Sequence, residues 1–244
     1  MSMIHMILMS KGGVGKSLVA VLLSQFLKEK GIDLFCADTD PTNPTFADYK
    51  ALGAEHVNVM TPEMNVNRSR YDDLMEKMIE HAGDTVVDNG SSSYLAVVSY
   101  LLENHCFEYL RECGKQVIVH AVLVGGAGMD ETIRALDSIL GLLKVPVVVW
   151  ENEILGPVQK NGKCFVESAL YQKYMSQILG VVRIPQHEKD TYGEDILKMT
   201  SLHLTFDEVM ASSDFRIMSK QRLKNFKREI FEQLDKVSFI EGAE

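Results

Sequence analysis

A glycine-rich turn near the start of the chain has the residue types and spacing of a phosphate-binding loop. It reads Ser-Lys-Gly-Gly-Val-Gly-Lys-Ser over residues 10–17, after an apolar run and before a segment with helical apolar spacing. Glycines let consecutive backbone N–H groups converge on one anion, and the helix that begins near Lys16 adds its positive dipole end. We expect Lys16 to reach the β- and γ-phosphates of a nucleotide and the Ser17 hydroxyl to ligate Mg²⁺. A glycine turn without a ligand is the alternative, and the strand–loop–helix context argues against it.

Three acidic residues lie where predicted strands end. Asp38 and Asp40 stand in Asp-Thr-Asp-Pro after the second strand, and Asp88 ends the apolar run of residues 84–88. Ligands of open α/β sheets bind at the carboxyl edge of the strands, where these acids would meet the glycine loop. Asp88 is expected to hold Mg²⁺ through a water opposite Ser17. The alternative is structural, since a proline turn or a strand end commonly uses a carboxylate as a cap.

The glycine loop resembles the deviant Walker A motif of the ParA/MinD family of dimeric ATPases, because Lys11 precedes the glycines and Ser10 replaces the usual first glycine. The resemblance implies that Lys11 reaches the nucleotide of a partner subunit, so that a homodimer would hold ATP at its interface. It also implies that Asp40 orients the attacking water and Asp38 supports the metal site. A solvated loop charge is the alternative for Lys11. The catalytic candidates are therefore Lys11, Lys16 and Asp40, and the metal-site candidates are Ser17, Asp38 and Asp88.

The predicted nucleotide contacts extend from the glycine loop to two later positions. The Asn-Lys-x-Asp motif that reads guanine is absent from the sequence, so ATP is favoured over GTP. Asn152 carries an amide suited to the edge of adenine. The family often has an asparagine there and a proline-bearing loop after its last strand, although a structural turn explains both residues nearly as well. The cofactor-binding candidates are Gly12, Gly13, Val14, Gly15, Lys16, Ser17, Leu18, Asn152 and Pro185.

Further stretches are similar to a ParA-like branch that is encoded in conjugal-transfer regions of plasmids. They include residues 4–6, 11–17, 38–41, 88–90, 151–152, 156–157, 191–193, 204–207, 221–224 and 229–234. This similarity implies a role in conjugation or in positioning the transfer apparatus, with a protein partner there. Asn-Gly-Ser follows Asp88, whereas the wider family usually has a proline two residues after the acid. How this loop would relay the nucleotide state stays open.

Strand-length apolar runs alternate with helical segments, which predicts a doubly wound α/β fold with a mostly parallel sheet and helices on both faces. The predicted strands are residues 3–9, 33–37, 56–60, 85–88, 116–124, 145–150 and 181–184. The predicted helices are residues 17–30, 70–81, 93–112, 130–142, 164–179, 194–200, 205–211 and 215–236. We expect a single P-loop ATPase domain over residues 1–244, with a C-terminal amphipathic helix, residues 214–237, inside it.

Composition narrows the class of protein. The 244 residues are 46% hydrophobic and 24% charged, which is typical of a globular domain, and the longest apolar runs are too short to span a membrane. With no recognisable secretory signal, we expect a cytoplasmic protein. The net charge of −9 disfavours non-specific nucleic-acid binding. The four cysteines have no metal-ligand spacing and are expected as reduced, buried thiols, and the seven histidines show no pairing that predicts a metal beyond Mg²⁺.

The C-terminal helix has three possible roles. Leu223, Phe226, Ile230, Leu234 and Val237 lie on one face, and basic residues dominate its first half. Packing on the sheet is favoured over docking of a partner, and membrane binding is favoured least because acids interrupt the basic face. The function predicted overall is a dimerising ATPase that hydrolyses Mg-ATP. The alternative is an ATP-binding, partner-docking module with negligible hydrolysis.

Overall fold

Nearly continuous apolar strands form the centre of the computed structural model, which describes residues 1–61, 63, 65–160, 162–237 and 239. In chain order the strands are β1 (Ser2–Ile7), β2 (Leu34–Asp38), β3 (Glu55–His56), β4 (Asp84–Asp88), β5 (Lys115–Val124), β6 (Val147–Asn152), β7 (Gln159–Lys160), β8 (Lys163–Cys164) and β9 (Ile178–Ile184). Within the described residues, seven of them form one parallel sheet in the order β3-β2-β4-β1-β5-β6-β9. The other two, β7 and β8, form a short antiparallel hairpin.

Helices lie between the strands along the chain, and further helices follow the last strand, β9. They are α1 (Lys16–Glu29), α2 (Arg70–Glu80), α3 (Tyr94–Glu103), α4 (Cys106–Glu112), α5 (Met129–Leu143), α6 (Ala169–Tyr174), α7 (Glu194–Ser201), α8 (Phe206–Ala211) and α9 (Ile217–Leu234). The predicted α/β class with a parallel sheet is confirmed. Its register places Asp88, at the end of β4, opposite both Ile7 of β1 and Asp38 of β2. The sheet therefore brings the ends of three strands together beside the glycine loop that follows β1.

Two predicted helices were wrong. The helix predicted over residues 93–112 is split, because His105 adopts a left-handed conformation (φ 50°) and the Asn104 amide caps Tyr100 O at 2.9 Å. The helix predicted over residues 164–179 is reduced to α6, since Ser168 Oγ accepts from Tyr171 N (3.1 Å) to start it. Ile178 already belongs to β9, where pairing with β6 overrides the helical spacing.

Strand and cysteine predictions also need correction. The strand predicted over residues 56–60 stops at His56, and Asn58 Oδ1 accepts from Met60 N at 2.9 Å to form a turn instead. The first strand ends at Ile7 rather than residue 9, and the last starts at residue 178 rather than 181. Burial is confirmed for the Cys36 and Cys106 thiols, whereas Cys113 and Cys164 are half-buried.

The C-terminal helix α9 packs on the body of the protein. Its predicted apolar face is buried: Leu223, Phe226, Ile230 and Leu234 each have 0% exposure. Gln233 also binds the edge strand, since its amide accepts from Arg183 N (2.7 Å) and donates to Arg183 O (2.9 Å). Part of the basic half is neutralised, with Arg222 paired to Asp195 at 2.6 Å. Among the described residues, no helix is both long and apolar enough to cross a membrane.

A line of hydrogen-bonded rings crosses the core from β6 to β1. Trp150 Nε1 donates to His120 Nδ1 at 2.9 Å, and His120 Nε2 lies 3.0 Å from His5 Nδ1. Because an indole can only donate, a neutral His120 carries its proton on Nε2 and donates to His5. Burial lowers the pKa of His5 to about 3 and the pKa of His120 well below its usual value. Both rings are therefore neutral, and the fold pairs histidines that appeared unrelated in sequence.

Candidate nucleotide-binding site

The glycine loop joins the end of β1 to the start of α1 and has a conformation that needs glycine. Gly13 and Gly15 have φ angles of 72° and 96°, in the left-handed region. A Cβ on Gly15 would lie only 2.6 Å from Asn152 Nδ2. The buried Lys16 side chain folds back over the loop, and its ammonium donates to Lys11 O at 3.3 Å. The loop is thus shaped before any ligand is added.

Asp88 is the acid with the most perturbed environment in this site. Its side chain is buried, and Oδ1 has no hydrogen-bond partner among the described residues. Burial, together with the nearby Asp38, raises the pKa of Asp88 to about 7, although the Ser17 hydroxyl and the Lys16 ammonium act in the opposite direction. Burial also lowers the pKa of Lys16, which Asp88 and Asp40 oppose. A buried, unpartnered carboxylate oxygen beside a lysine and a hydroxyl is a site suited to a cation.

Asp38 and Asp40 shape the loop that follows β2. Both oxygens of the buried Asp38 are used: Oδ1 accepts from Asp40 N (2.9 Å), and Oδ2 accepts from Phe46 N (2.9 Å) and Ala47 N (3.1 Å). Asp40 Oδ1 accepts from Thr42 N at 3.0 Å, and the Thr42 hydroxyl and Asn43 N also donate to it. Asp38 therefore anchors the loop that presents Asp40, and direct metal contact by Asp38 stays a prediction.

The loop after β2 is tied to the loop after β4. Thr39 N donates to Asp88 O at 2.9 Å, and the Thr39 hydroxyl donates to Asn89 Oδ1 at 3.2 Å. Asn89 is itself buried between the strand ends. A movement of one loop must therefore displace hydrogen bonds of the other.

Asn152 ends β6 and Pro185 follows the neighbouring strand β9, but the two residues have different surroundings. Asn152 Nδ2 donates to Val14 O at 2.9 Å, so this amide supports the glycine loop, and its Oδ1 accepts from Ile154 N. Pro185 lines a cleft of about 460 Å³ between β9 and α9, together with Arg183 and Glu229. An adenine contact by either residue stays a prediction.

Lys11 is directed away from its own phosphate loop. Its ammonium lies 2.6 Å from Glu131 Oε2, at the first turn of α5. Glu131 was not identified from the sequence, and no local pattern could reveal it, because the two residues are 120 positions apart.

The half-buried Leu18 lies in the first turn of α1, next to Ser17.

The residues present fit a magnesium ion of the kind expected at a phosphate loop. The Ser17 hydroxyl and the unpartnered Asp88 oxygen are hard oxygen donors on adjoining elements. Within the part of the chain that the structure describes, no three His, Cys, Asp or Glu side chains form a ready-made metal cluster. Such a cluster is not required, since Mg²⁺ in nucleotide sites takes most of its ligands from phosphates and water.

Comparison with known proteins identifies the family of this chain. Residues 5–189 match the family described as the CobQ/CobB/MinD/ParA nucleotide binding domain. The chain belongs to this family. Two Escherichia coli proteins, each named Protein TraL, are 36% and 35% identical to it over 242 residues, which is 98% of this chain and 100% of each relative.

Solved MinD structures share the fold of this CobQ/CobB/MinD/ParA member. The Pyrococcus furiosus cell division ATPase MinD matches with a TM-score of 0.58 and 14% identity, covering 98% of this chain and 100% of that one. The Pyrococcus horikoshii septum site-determining protein MinD, complexed with Mg-ADP, matches with a TM-score of 0.57 and 14% identity over 100% of both chains. The predicted resemblance to ParA/MinD proteins is therefore confirmed.

Proposed function

We propose that this protein binds Mg-ATP on residues 11–17 and hydrolyses it as a nucleotide-dependent dimer. The observation that carries the proposal is the buried, unpartnered Asp88 carboxylate oxygen beside Ser17 and Lys16. Membership of a nucleotide-binding family and the Mg-ADP bound to the Pyrococcus horikoshii relative support the same ligand class. The site combines a cationic loop with an acid that needs a counterion.

The proposed roles follow from the positions of the side chains. Ser17 and Asp88 would hold Mg²⁺, which when bound neutralises phosphate charge. Lys16 would leave Lys11 O and bind the β- and γ-phosphates, where positioning and electrostatics supply most of the catalysis. Asp40 lies on the adjoining loop, where its carboxylate would orient the attacking water. Lys11 would exchange Glu131 for the nucleotide of the second subunit.

The biological setting that we propose comes from the relatives. The identity to the TraL proteins supports a role in plasmid conjugal transfer or in positioning of the transfer apparatus. One solved neighbour is the Aquifex aeolicus MinC:MinD complex (TM-score 0.56, 13% identity, covering 95% of this chain and 96% of that one). By analogy with that pairing, we infer that this chain acts on a protein partner.

A second candidate function is an ATP-binding, partner-docking switch with negligible turnover. The engagement of Asp40 Oδ1 by Thr42 and Asn43 favours it, because a carboxylate held within its own loop is not available to a water through that oxygen. The two candidates differ in whether that loop opens when ATP binds.

Size and turnover measurements test both candidates. The mass in solution is measured with ATP, with ADP and without nucleotide, and ATP hydrolysis is measured on the same samples. We expect a dimer in the presence of ATP and a monomer with ADP or without nucleotide. ATP hydrolysis should be slow, and Lys16→Ala should abolish it. ATP-dependent dimers without turnover would favour the docking module, whereas a mass that nucleotide does not change would contradict the switch.

A further inference from the structure

The loop after β4 is held firmly at both ends. Asn89 Nδ2 donates to Ile7 O and Val87 O, each at 3.3 Å, which fixes the start of the loop between two strand ends. The buried Ser93 hydroxyl donates to Gly90 O at 3.2 Å, which fixes the other end. The residues between them, Gly90 to Ser92, therefore have a defined position over the site.

Two close approaches describe that position. A Cβ on Gly90 would lie 2.9 Å from both Cα and Cγ of Asp40, so the loop contacts the residue proposed to orient water. A Cβ on Gly12 would lie 3.2 Å from Ser91 Oγ, so the Ser91 hydroxyl lies directly against the phosphate loop. Glycine at both positions permits the three loops to meet.

Of the three consecutive serines in this loop, only Ser91 places its hydroxyl against the phosphate loop. The Ser93 hydroxyl is used within its own loop, and Ser92 is exposed to solvent. The half-buried Ser91 hydroxyl instead lies over the loop whose backbone N–H groups are arranged to bind phosphate. A hydroxyl can donate one hydrogen bond, and an anionic phosphate oxygen is a strong acceptor.

We propose that the Ser91 hydroxyl donates to the terminal phosphate of a bound nucleoside triphosphate and so distinguishes it from the diphosphate. This inference rests on the proposed function and adds a specificity-determining residue to it. Because Ser91 adjoins Gly90, which contacts Asp40, a displacement of Ser91 by the terminal phosphate is passed directly to the loop that carries Asp40. The Asn-Gly-Ser sequence would then relay the nucleotide state.

The test compares affinities for two nucleotides rather than catalytic rates. Dissociation constants for ADP and for the non-hydrolysable triphosphate adenylyl imidodiphosphate are measured by calorimetry with Mg²⁺, for the natural protein, Ser91→Ala and the control Ser92→Ala. Loss of a hydrogen bond to a charged group predicts that Ser91→Ala binds the triphosphate about tenfold more weakly. Its affinity for ADP should be unchanged, as should both affinities of Ser92→Ala.

Each other outcome counts against the inference. An unchanged triphosphate-to-diphosphate affinity ratio in Ser91→Ala would overturn the role of Ser91 while leaving nucleotide binding intact. Equal weakening of both nucleotides would also overturn it, because that result indicates a general disturbance of the loop. A natural protein that binds neither nucleotide would overturn the proposed function and this inference together.

Discussion

Lys11 and Glu131 form an ion pair within one chain, with 2.6 Å between Nζ and Oε2. The side chains are 30% and 51% exposed, so water screens the pair. The Lys11 stem also passes over Gly128, where a Cβ would lie 3.2 Å from Lys11 Cε. The lysine proposed to act on a second subunit is therefore bound, in the single chain, to helix α5 of the same chain, by a contact weak enough to exchange.

Replacing Glu131 by glutamine should release Lys11 and favour the dimer. Because an exposed ion pair contributes about 0.2–1 kcal/mol and both subunits would break one, we expect Glu131→Gln to strengthen ATP-dependent dimerisation about two- to thirtyfold. Sedimentation of the protein with a non-hydrolysable ATP analogue measures the dissociation constant. Asp130→Asn is the matched control, since it removes the same charge from the same helix turn but breaks the pair with Lys160 instead. Equal effects of the two variants would contradict the exchange.

Replacing Asn152 by alanine separates its two proposed roles. Loss of the bond to Val14 O should weaken binding of every nucleotide by a similar factor. Loss of an adenine contact should weaken ATP more than GTP, by about tenfold for a hydrogen bond made only to adenine. Competition binding of ATP against GTP, in Asn152→Ala and in the natural protein, gives the answer. An unchanged preference between the two nucleotides would leave Asn152 with its structural role alone.

Asp40→Asn should reduce turnover while preserving the loop. The asparagine oxygen can still accept from Thr42 N and Asn43 N, whereas it is a poor base for orienting water. We expect ATP hydrolysis to fall about 100-fold with little change in ATP affinity. The exposed Asp48→Asn serves as the control for a charge lost on the same segment. Full ATP hydrolysis by Asp40→Asn would show that another group orients the attacking water.

The buried His5 should make stability depend on pH. Its folded pKa is lowered from 6.5 to about 3, so the folded state excludes a proton that the unfolded chain binds below pH 6.5. Its contribution to stability is complete above pH 6.5 and falls by about 1.4 kcal/mol per pH unit below it. His5→Asn keeps an acceptor for His120 but cannot titrate. In urea unfolding, the free energy of unfolding of the natural protein relative to His5→Asn should therefore fall by about 1 kcal/mol from pH 6.5 to 5.5. Parallel pH profiles would exclude this role.

Much of the fold, and the way it gathers the candidate site residues, could be predicted because the signals are local. The continuous apolar runs mark buried parallel strands, and parallel strands bring Asp38, Asp88 and the glycine loop to one edge. The backbone conformation also explains why glycine stands at two positions of the loop, since Gly13 and Gly15 adopt left-handed φ angles.

Some errors arise where distant residues decide the local structure, whereas the break at His105 and the end of β3 after His56 come from local caps and turns. Residues 164–179 have helical spacing, yet pairing with β6 takes the end of that segment into the sheet. The His5–His120 bond and the Lys11–Glu131 pair join residues 115 and 120 positions apart. Such contacts depend on the order of the strands in the sheet and on the direction of each side chain. Local sequence patterns reveal neither.

The Gln233 side chain closes part of an exposed sheet edge. By accepting from Arg183 N and donating to Arg183 O, it gives one residue of β9 both of the backbone hydrogen bonds that another strand would supply. A free edge invites pairing with the edge of a second molecule, which extends a sheet without limit. Because the N–H and C=O of Arg183 are already bonded, two copies cannot pair their sheet edges through this residue, and edge-to-edge aggregation is opposed at β9.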